Sequence, residues 1–316
     1  MFANHSYFLK RFVIFLISLF IATGVLAEDA ADDEDAAQDS TSNTEDAAAE
    51  ADKNYAPPDD QHANSTPGHE SHAAGSAGGG SSGAANLAEA ATDPSAILAQ
   101  LGFFGWTESS SDDKNIANTF LFQPVLPLSN TNVLRPAIPV VTTGGPNGVT
   151  GLGDLFLLDA NFIQVPSGTW GWGVVATLPT ATDRTLGAGK WQAGPTLLYI
   201  NKTIPKTIFG ILGYNQWSFA GKSDRQKVNN LQFQPLFVHH NSWGYIAWTD
   251  IMIKIDWENN NNIDFPVGVR IGKVWSGKTP INAYVQPYYT FKNHGRDNVW
   301  GLKVSATFIK PNWLKH

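Results

Sequence analysis

The chain has 316 residues, of which 42% are apolar and 16% charged, and its formal net charge is −7 at neutral pH. It contains no cysteine, which excludes disulfides, thiolate metal sites, cysteine nucleophiles and lipid attachment through an N-terminal cysteine. The acidity belongs to one segment: 28–60 holds thirteen acids and one base, whereas 101–316 holds eighteen bases and twelve acids. We therefore expect an acidic tail joined to a mildly basic body.

The first element has the features of an export signal. Lys10 and Arg11 precede an apolar run over 12–26, and Val25 and Ala27 stand at the −3 and −1 positions of a cleavage site before Glu28. The run of about 15 residues is shorter than the roughly 20 that a membrane-spanning helix needs. This pattern predicts a cleaved signal peptide over 1–27.

The next segment, 28–96, is predicted to be a disordered leader, first acidic and then rich in Gly, Ser and Ala. Tyr55 is the only aromatic residue in it, so it lacks the apolar area needed to offset chain entropy. The stretch 68–85 has the composition of a flexible linker. Three histidines in this leader, His62, His69 and His72, are interpreted as solvated side chains and not as metal ligands.

From residue 97 the apolar residues recur with a period of two, which is typical of strands. In 263–272 every odd residue is apolar, and in 299–310 Trp300, Leu302 and their alternates share one face, with Lys303 on the other. The same alternation places Tyr245 and Ala247 on the apolar face of 243–256. Twelve strands are predicted: 101–107, 117–126, 133–142, 153–165, 170–179, 190–200, 207–219, 230–239, 243–256, 263–274, 281–292 and 299–309.

Strand length and number favour a membrane barrel. Most of these segments have about the 9–11 residues of a tilted transmembrane strand, and their number is even. Compact connections alternate with mostly longer, more polar ones, as periplasmic turns alternate with outer loops. The sequence thus predicts an all-β, antiparallel up-and-down transmembrane barrel over 97–310 and a C-terminal tail over 311–316. Seven prolines inside strands conflict with this prediction, because proline deletes a ladder donor: Pro124, Pro136, Pro139, Pro195, Pro235, Pro266 and Pro287.

Aromatic residues near the strand ends predict two belts at the membrane interfaces. The alternative is that aromatic residues are simply favourable in strands. The belt residues expected near the periplasm are Trp243, Tyr245, Trp275 and Phe308, and those expected near the outside are Trp217, Phe219, Trp257, Tyr289, Phe291 and Trp300.

Polar residues of the strands are expected to line the lumen, since an Arg or Lys facing lipid at mid-membrane costs about 2–4 kcal/mol. Two hypotheses remain open: a network in which Arg270 pairs with Asp250 or Asp256 and fills the barrel, or a narrow channel whose bases attract anions. The main lumen-lining residues are predicted to be Arg135, Asp159, Lys190, Gln232, Gln234, Asp250, Lys254, Asp256, Asp264, Arg270, Tyr284, Tyr288 and Lys303, with Gln123, Gln192, Asn282, Gln286 and Lys292 beside them.

Several short motifs resemble a known family. They are Gln123 to Pro127, Gly151 to Asp154, Trp170 to Gly173, Leu178 to Asp183, Leu186 to Pro195, Trp217 to Gly221 and Gln234-Pro235. Their order over about 95–310 resembles bacterial outer-membrane proteins grouped with the MetA-pathway-of-phenol-degradation family, often labelled neuromedin U. The resemblance implies an outer-membrane β-barrel that passes small, often aromatic or hydrophobic, molecules, and it implies no catalytic residue. The long acidic leader and the tail after Phe308 depart from the family pattern.

The function expected from these features is a narrow channel or transporter in the bacterial outer membrane, with the leader in the periplasm. A non-conducting structural or surface-display barrel is the alternative, and an outer-membrane hydrolase is the third candidate. Hydrolysis is disfavoured because His239, His240 and His294 lie in no recognisable nucleophile motif. The expected partners are outer-membrane lipid, an unidentified small solute and the barrel-assembly machinery. No nucleic acid, cofactor or metal is expected.

Overall fold

A computed structural model describes residues 86–110, 115–248 and 251–310. The predicted signal peptide, the leader before residue 86, Asp250 and the tail 311–316 lie outside the described residues. Among those that are described, no helix is long and apolar enough to cross a membrane, a finding that does not bear on crossing by strands.

Fourteen strands and one short 3₁₀ turn, Arg184–Leu186, make up the regular structure of the described residues from Ala99 onward. The strands are β1 Ala99–Ser110, β2 Ile116–Pro127, β3 Asn132–Thr142, β4 Thr150–Leu152, β5 Leu155–Val165, β6 Gly168–Leu178, β7 Lys190–Asn201, β8 Thr207–Gly221, β9 Asn229–His240, β10 Tyr245–Trp248, β11 Ile253–Asp256, β12 Asn262–Trp275, β13 Ile281–Lys292 and β14 Val299–Lys310.

The strands form a closed barrel of twelve staves, where a stave is one crossing of the barrel wall. Both β4 and β5 pair with β3, and both β10 and β11 pair with β9 and β12, so each of these two couples forms one stave. Every pairing is antiparallel, and β1 pairs with β14 to close the sheet. The predicted twelve-stranded up-and-down barrel is therefore confirmed.

The two ends of the barrel differ in their connections. At one end, called the short-turn end, the connections are 128–131, 166–167, 202–206, 241–244 and 276–280. At the other, called the long-loop end, they are 111–115, 143–149, 179–189, 222–228, 257–261 and 293–298. Tight connections suit antiparallel neighbours, and the chain enters β1 at the short-turn end.

Alternation along the strands separates an outer apolar face from an inner face. In β12, Phe265, Val267 and Ile271 are exposed on the outside while Arg270 is buried inside, as the sequence predicted. In β14, Trp300 and Leu302 are likewise exposed, opposite the buried Lys303. Because the sequence shows a clean period of two in these strands, their faces could be assigned without the structure.

The seven prolines all lie where one of a strand's two ladders is interrupted. Between β2 and β3, for example, Phe122 pairs with Ile138 and Leu126 with Leu134, and the residues between them are unpaired, which leaves Pro124 opposite Pro136. Each proline thus faces a gap where the N–H that it lacks is not needed for a ladder. The other five prolines also face unpaired positions on a neighbouring strand. Pro139 faces the break between β4 and β5, and both Pro235 and Pro266 face the break between β10 and β11. Pro195 faces a gap in the pairing with β8, and Pro287 faces one in the pairing with β12.

Candidate functional site: the barrel interior

One wall of the interior is polar. It is built by β9, β12, β13 and β14, whose inward side chains are buried amides, hydroxyls and bases. The amide atoms of Gln286 and the hydroxyls of Ser305 and Thr307 are buried and have no hydrogen-bond partner among the described residues. Because buried polar groups require partners, these atoms mark positions that water or a polar solute would satisfy.

The opposite wall is apolar. Phe156, Leu158 and Phe162 of β5 pack with Leu198 of β7 and Leu212 of β8 in one buried cluster. On this side the lumen is lined by apolar side chains, whereas the sequence predicted polar ones. In β5 the run from Leu155 to Leu158 is apolar on both faces, so periodicity carries no information about which side is inward.

A cavity lies against this apolar wall. Its lining includes Leu158, Phe162, Leu198 and Leu212, with Arg135 of β3 also beside it. The Arg135 side chain is buried, with 2% of the residue exposed. The barrel thus contains a small apolar recess of about 20 Å³, room for about one water molecule, with one cationic neighbour.

The bases on the polar wall contact aromatic rings. The guanidinium carbon of Arg270 lies 3.8 Å from the centroid of the Tyr284 ring. The Lys303 ammonium lies 5.3 Å from the Trp106 ring centroid. Aromatic faces stabilise cations held in partly desolvated positions. The predicted pairing of Arg270 with Asp256 is not found, since Asp256 pairs in register with Asn262, far along β12 from Arg270.

The structure places most of the predicted lumen residues on the inner face. Lys190 stands at the rim of the long-loop end, where its ammonium donates to the Lys222 carbonyl over 2.6 Å, and Asp250 is not among the described residues. Those that face inward are Arg135, Gln232, Gln234, Lys254, Asp256, Asp264, Arg270, Tyr284, Tyr288 and Lys303.

Asp159 corrects the prediction, because it lies on the outer face. Its cross-strand neighbour Val174 is exposed, whereas Leu158 and Ala160 on either side of Asp159 are buried inside. Asn132, at the start of β3 near the short-turn end, donates to Asp159 Oδ1 over 2.8 Å. A carboxylate with a local donor is tolerated on this face, so the rule that charge points inward failed at this residue.

Glu108 is a lumen residue that the sequence analysis missed. The predicted strand 101–107 ends just before this residue, but β1 continues to Ser110 and Glu108 accepts a 2.7 Å hydrogen bond from the Tyr288 hydroxyl. The alternation of Phe104 and Trp106 continues to this residue, and extending the predicted strand by three residues would have found it.

The predicted belt residues, with one exception, lie on the outer surface or on its rims. Tyr245 is wrong: only 1% of it is exposed, and its hydroxyl donates to Asn282 Oδ1 over 2.9 Å inside the barrel. Even-numbered residues face outward in β10 and odd-numbered ones in β11, because the stretch between the two strands is irregular. Ile246 and Trp248 are therefore exposed in place of Tyr245. Exposed or half-buried at the surface are Trp217, Phe219, Trp243, Trp257, Trp275, Tyr289, Phe291, Trp300 and Phe308.

Residues 86–98, called the plug segment, fill the barrel mouth at the short-turn end. The predicted leader included 86–96 of this segment, but 86–90 is helical and Ala91, Thr92, Asp93 and Ser95 are buried. Residues 86–96 therefore belong to the folded part of the chain. The reason for the error is that this stretch is stabilised by partners on distant strands, which local composition does not reveal.

The plug segment contacts positions all around the mouth. Arg135 of β3 donates to the Pro94 carbonyl over 2.9 Å, and Asn282 of β13 donates to the Ala91 carbonyl over 3.1 Å. Thr92 Oγ1 lies 2.8 Å from Nε2 of His240 in β9. Lys202, in the turn between β7 and β8, forms a 2.5 Å ion pair with Asp93. Because these partners are spread over the circumference, the segment crosses the opening.

Three of the motifs that carried the family resemblance meet at the long-loop end. Asp154, between β4 and β5, accepts hydrogen bonds from the backbone N–H groups of Ala181 and Ala188, at 3.1 and 2.7 Å. Burial raises the pKa of the Asp154 carboxyl, and these backbone donors act in the opposite direction. Thr182 binds the backbone of Leu152 in the same place. Three motifs, one of them about 30 residues before the other two, thus build one loop structure.

A second link at this end joins loops 179–189 and 222–228. Arg184 Nη1 donates to Asp224 Oδ2 over 2.6 Å, and this hydrogen bond lowers the pKa of Asp224. The backbone and hydroxyl of Thr185 lower the pKa of Asp183 in the same way. Since both pKa values are lower in the folded state, the contacts stabilise the loops above the ordinary Asp pKa of about 3.9 and are lost as pH falls through the lowered pKa values.

We therefore expect loop 222–228 to become more mobile below about pH 4, with a modest effect because Arg184 and Asp224 are exposed. Hydrogen exchange of this loop as a function of pH measures the change. Asp224→Asn is the control, and its loop should be mobile at every pH. The pH dependence that remains in this variant should be only that of Asp183 and Asp154. Equal pH profiles for the two proteins would contradict the assignment to Asp224.

These features define a closed, antiparallel twelve-stave barrel with an apolar outer surface and a mouth that residues 86–98 fill at the short-turn end. The fold is similar to that of an outer membrane channel from Pseudomonas putida F1, with a TM-score of 0.53 and 13% sequence identity, covering 68% of this chain and 96% of the channel. No protein-family model matches the chain, and no curated protein matches it. The likeness therefore concerns the fold.

Proposed function

We propose that this protein is a bacterial outer-membrane β-barrel that conducts small molecules through a narrow lumen. The observation that carries the proposal is the outer surface, where large apolar side chains such as Trp172 of β6, Leu197 of β7 and Val267 of β12 are exposed. Contiguous exposed apolar surface of this extent is unfavourable in water and suits hydrocarbon. Charged residues, by contrast, lie mainly on the inner face or at the ends.

The walls of the interior support a solute with both an apolar and a polar part. The lining of Leu158, Phe162 and Leu198 is apolar and matches the chemistry of an apolar or aromatic body, which would enter once the recess widens beyond its present volume of about 20 Å³. A polar group would meet the amides and hydroxyls on the opposite wall, including Gln286 and Ser305. This two-sided lining agrees with the family resemblance, which implies small aromatic or hydrophobic molecules. The membership in that family is itself part of the proposal.

The orientation follows the usual one for such barrels, with the short-turn end in the periplasm. The N-terminal leader then lies in the periplasm, after export and removal of the signal peptide. Outer-membrane lipid and the barrel-assembly machinery are the partners that this location requires.

A non-conducting structural or display barrel is the second candidate, and the plug segment favours it. Catalysis has less support, because the two histidines near the mouth are hydrogen-bonded to threonine hydroxyls, His240 to Thr92 and His239 to Thr207, and neither lies in a recognisable nucleophile motif. Single-channel recording in planar bilayers separates the first two functions. Discrete current steps support conduction, and silence from a protein that shows heat-modifiable gel migration contradicts it.

The charge at Arg270 is expected to affect ion selectivity. Arg270→Glu replaces a buried lumen cation with an anion, so the permeability ratio should shift toward cations. Lys273→Glu is a matched control, because this residue lies on the same strand, three positions on, but is exposed outside. Reversal-potential measurements in a salt gradient test the pair. Unchanged selectivity of a correctly folded Arg270→Glu variant would contradict conduction past this residue.

A further inference from the structure

The plug segment is attached to the barrel but does not belong to its sheet. Ladder pairing begins at Ala99, and the backbone hydrogen bonds recorded within 86–96 are local, such as Ala91 N–H to the Leu87 carbonyl and Ala96 N–H to the Asp93 carbonyl. Its side chains are mostly small, so it buries little apolar area of its own. Removing it from the mouth therefore requires no strand to separate from its neighbour.

The contacts that hold the plug segment are few and specific. Two buried side chains, Arg135 and Asn282, donate to backbone carbonyls of the segment, and their strands lie apart on the barrel wall. The ion pair of Asp93 with Lys202 is a charged contact that is accessible to salt, because the Lys202 side chain is 40% exposed. Pro94 also lines the apolar recess, so the segment closes the recess from the short-turn end.

We propose that the plug segment is a reversible, autoinhibitory gate. In the closed state its contacts with Arg135, Lys202, His240 and Asn282 block the lumen, and their joint release opens a path from the recess to the short-turn end. The inference rests on the proposed conduction. It gives residues 86–98 a function that differs from that of the leader. It also explains how a barrel whose mouth is filled in this structure could conduct.

Salt should favour the open state. An ion pair with one exposed partner weakens as ionic strength rises, because the Debye length falls from about 10 Å at 0.1 M to about 3 Å at 1 M. Release of the segment also exposes the Arg135 guanidinium to the water and anions of an open lumen. We therefore expect the open fraction, and not only the current, to rise with salt concentration.

A reversible tether tests the gate directly. The natural chain has no cysteine, so Thr92→Cys with His240→Cys introduces the only two thiols. A short bis-thiosulfonate reagent links them through disulfides that a reductant cleaves. We expect the unlinked variant to open more often than the wild type, the linked protein to be silent, and reduction to restore the openings. Thr92→Cys alone, treated with the same reagent, is the control and should remain conducting.

Charge substitution provides an independent test. Asp93→Asn removes the ion pair with Lys202 and should raise the ratio of open to closed time several-fold, with a weaker dependence on salt. Asp224→Asn also removes an ion pair, but at the long-loop end, and should leave gating unchanged. Deletion of 86–95 should give a channel that stays open.

The outcomes distinguish the gate from the conduction on which it rests. If the linked protein conducts like the unlinked one, or if the deletion variant gates like the wild type, conduction stands and the gate is overturned. If the deletion variant migrates as a folded barrel and passes no current, conduction itself is overturned, and the gate with it.

Discussion

Replacing Val267 with arginine is expected to lower the stability of the barrel in a bilayer by about 2–4 kcal/mol. Val267 lies near the middle of β12 and is 48% exposed on the outer face. A guanidinium there would meet hydrocarbon at the depth where charge is least tolerated. Urea-induced unfolding of the protein in lipid vesicles, followed by tryptophan fluorescence, measures the free energy of unfolding.

The matched control is Ile263→Arg, on the same face of the same strand but next to the long-loop end. Near the interface the expected cost is only about 0–1 kcal/mol, because the side chain reaches the headgroups. A larger loss of unfolding free energy for Val267→Arg than for Ile263→Arg supports an outer surface that faces lipid. Equal values, or a Val267→Arg protein that becomes soluble without detergent, would show that water or protein contacts this face.

Replacing Gly301 with alanine is expected to destabilise the barrel by about 1–3 kcal/mol. Gly301 faces inward on β14 directly opposite Tyr288, and an added Cβ would lie 2.0 Å from the Tyr288 Cζ. The ring must then move, which also breaks its hydrogen bond to Glu108. The midpoint temperature of the change in gel migration, with and without the substitution, reports the loss.

Gly105→Ala is the control on the neighbouring strand. An added Cβ there meets only Val304, at an ordinary 3.7 Å. Since alanine restricts the unfolded chain more than glycine, this variant should be neutral or more stable by up to about 1 kcal/mol. A Gly301 variant as stable as the Gly105 variant would mean that the Tyr288 ring does not pack over β14 as described.

The strands themselves could be predicted because each carries its own signal. In β12 and β14 the alternation of apolar and polar residues fixes both the secondary structure and the face, and no distant residue is needed to interpret it. The closure of twelve staves follows from the same information, together with the alternation of turns and loops. The long strands also indicated a membrane-spanning barrel over a soluble sheet.

Where the local signal is ambiguous, the assignment of faces failed. β5 is apolar on both sides, so the apolar inner wall around Phe162 was missed and Asp159 was placed inside. The break between β10 and β11 reverses whether odd- or even-numbered residues face outward, so Tyr245 was assigned to the wrong face. A one-residue slip reverses every later side chain, which makes irregular strands unpredictable from periodicity alone.

The prolines show the same dependence on partners. From the sequence they conflict with a barrel, because a proline has no N–H to donate. In the structure Pro124 faces Pro136 across a gap, and the others also lie beside interrupted ladders. Whether a residue's N–H is required depends on the register of a neighbouring strand, which sequence does not provide.

The sequence by itself determined that this chain is a barrel of twelve long strands, since period, strand length and turn spacing are local properties written within each segment. Only the tertiary structure decided what occupies the interior. The plug segment, the apolar recess and the pairing of Tyr288 with Glu108 bring together residues that are far apart in the chain. Such contacts depend on closure of the sheet, and closure brings together residues that carry no common local pattern.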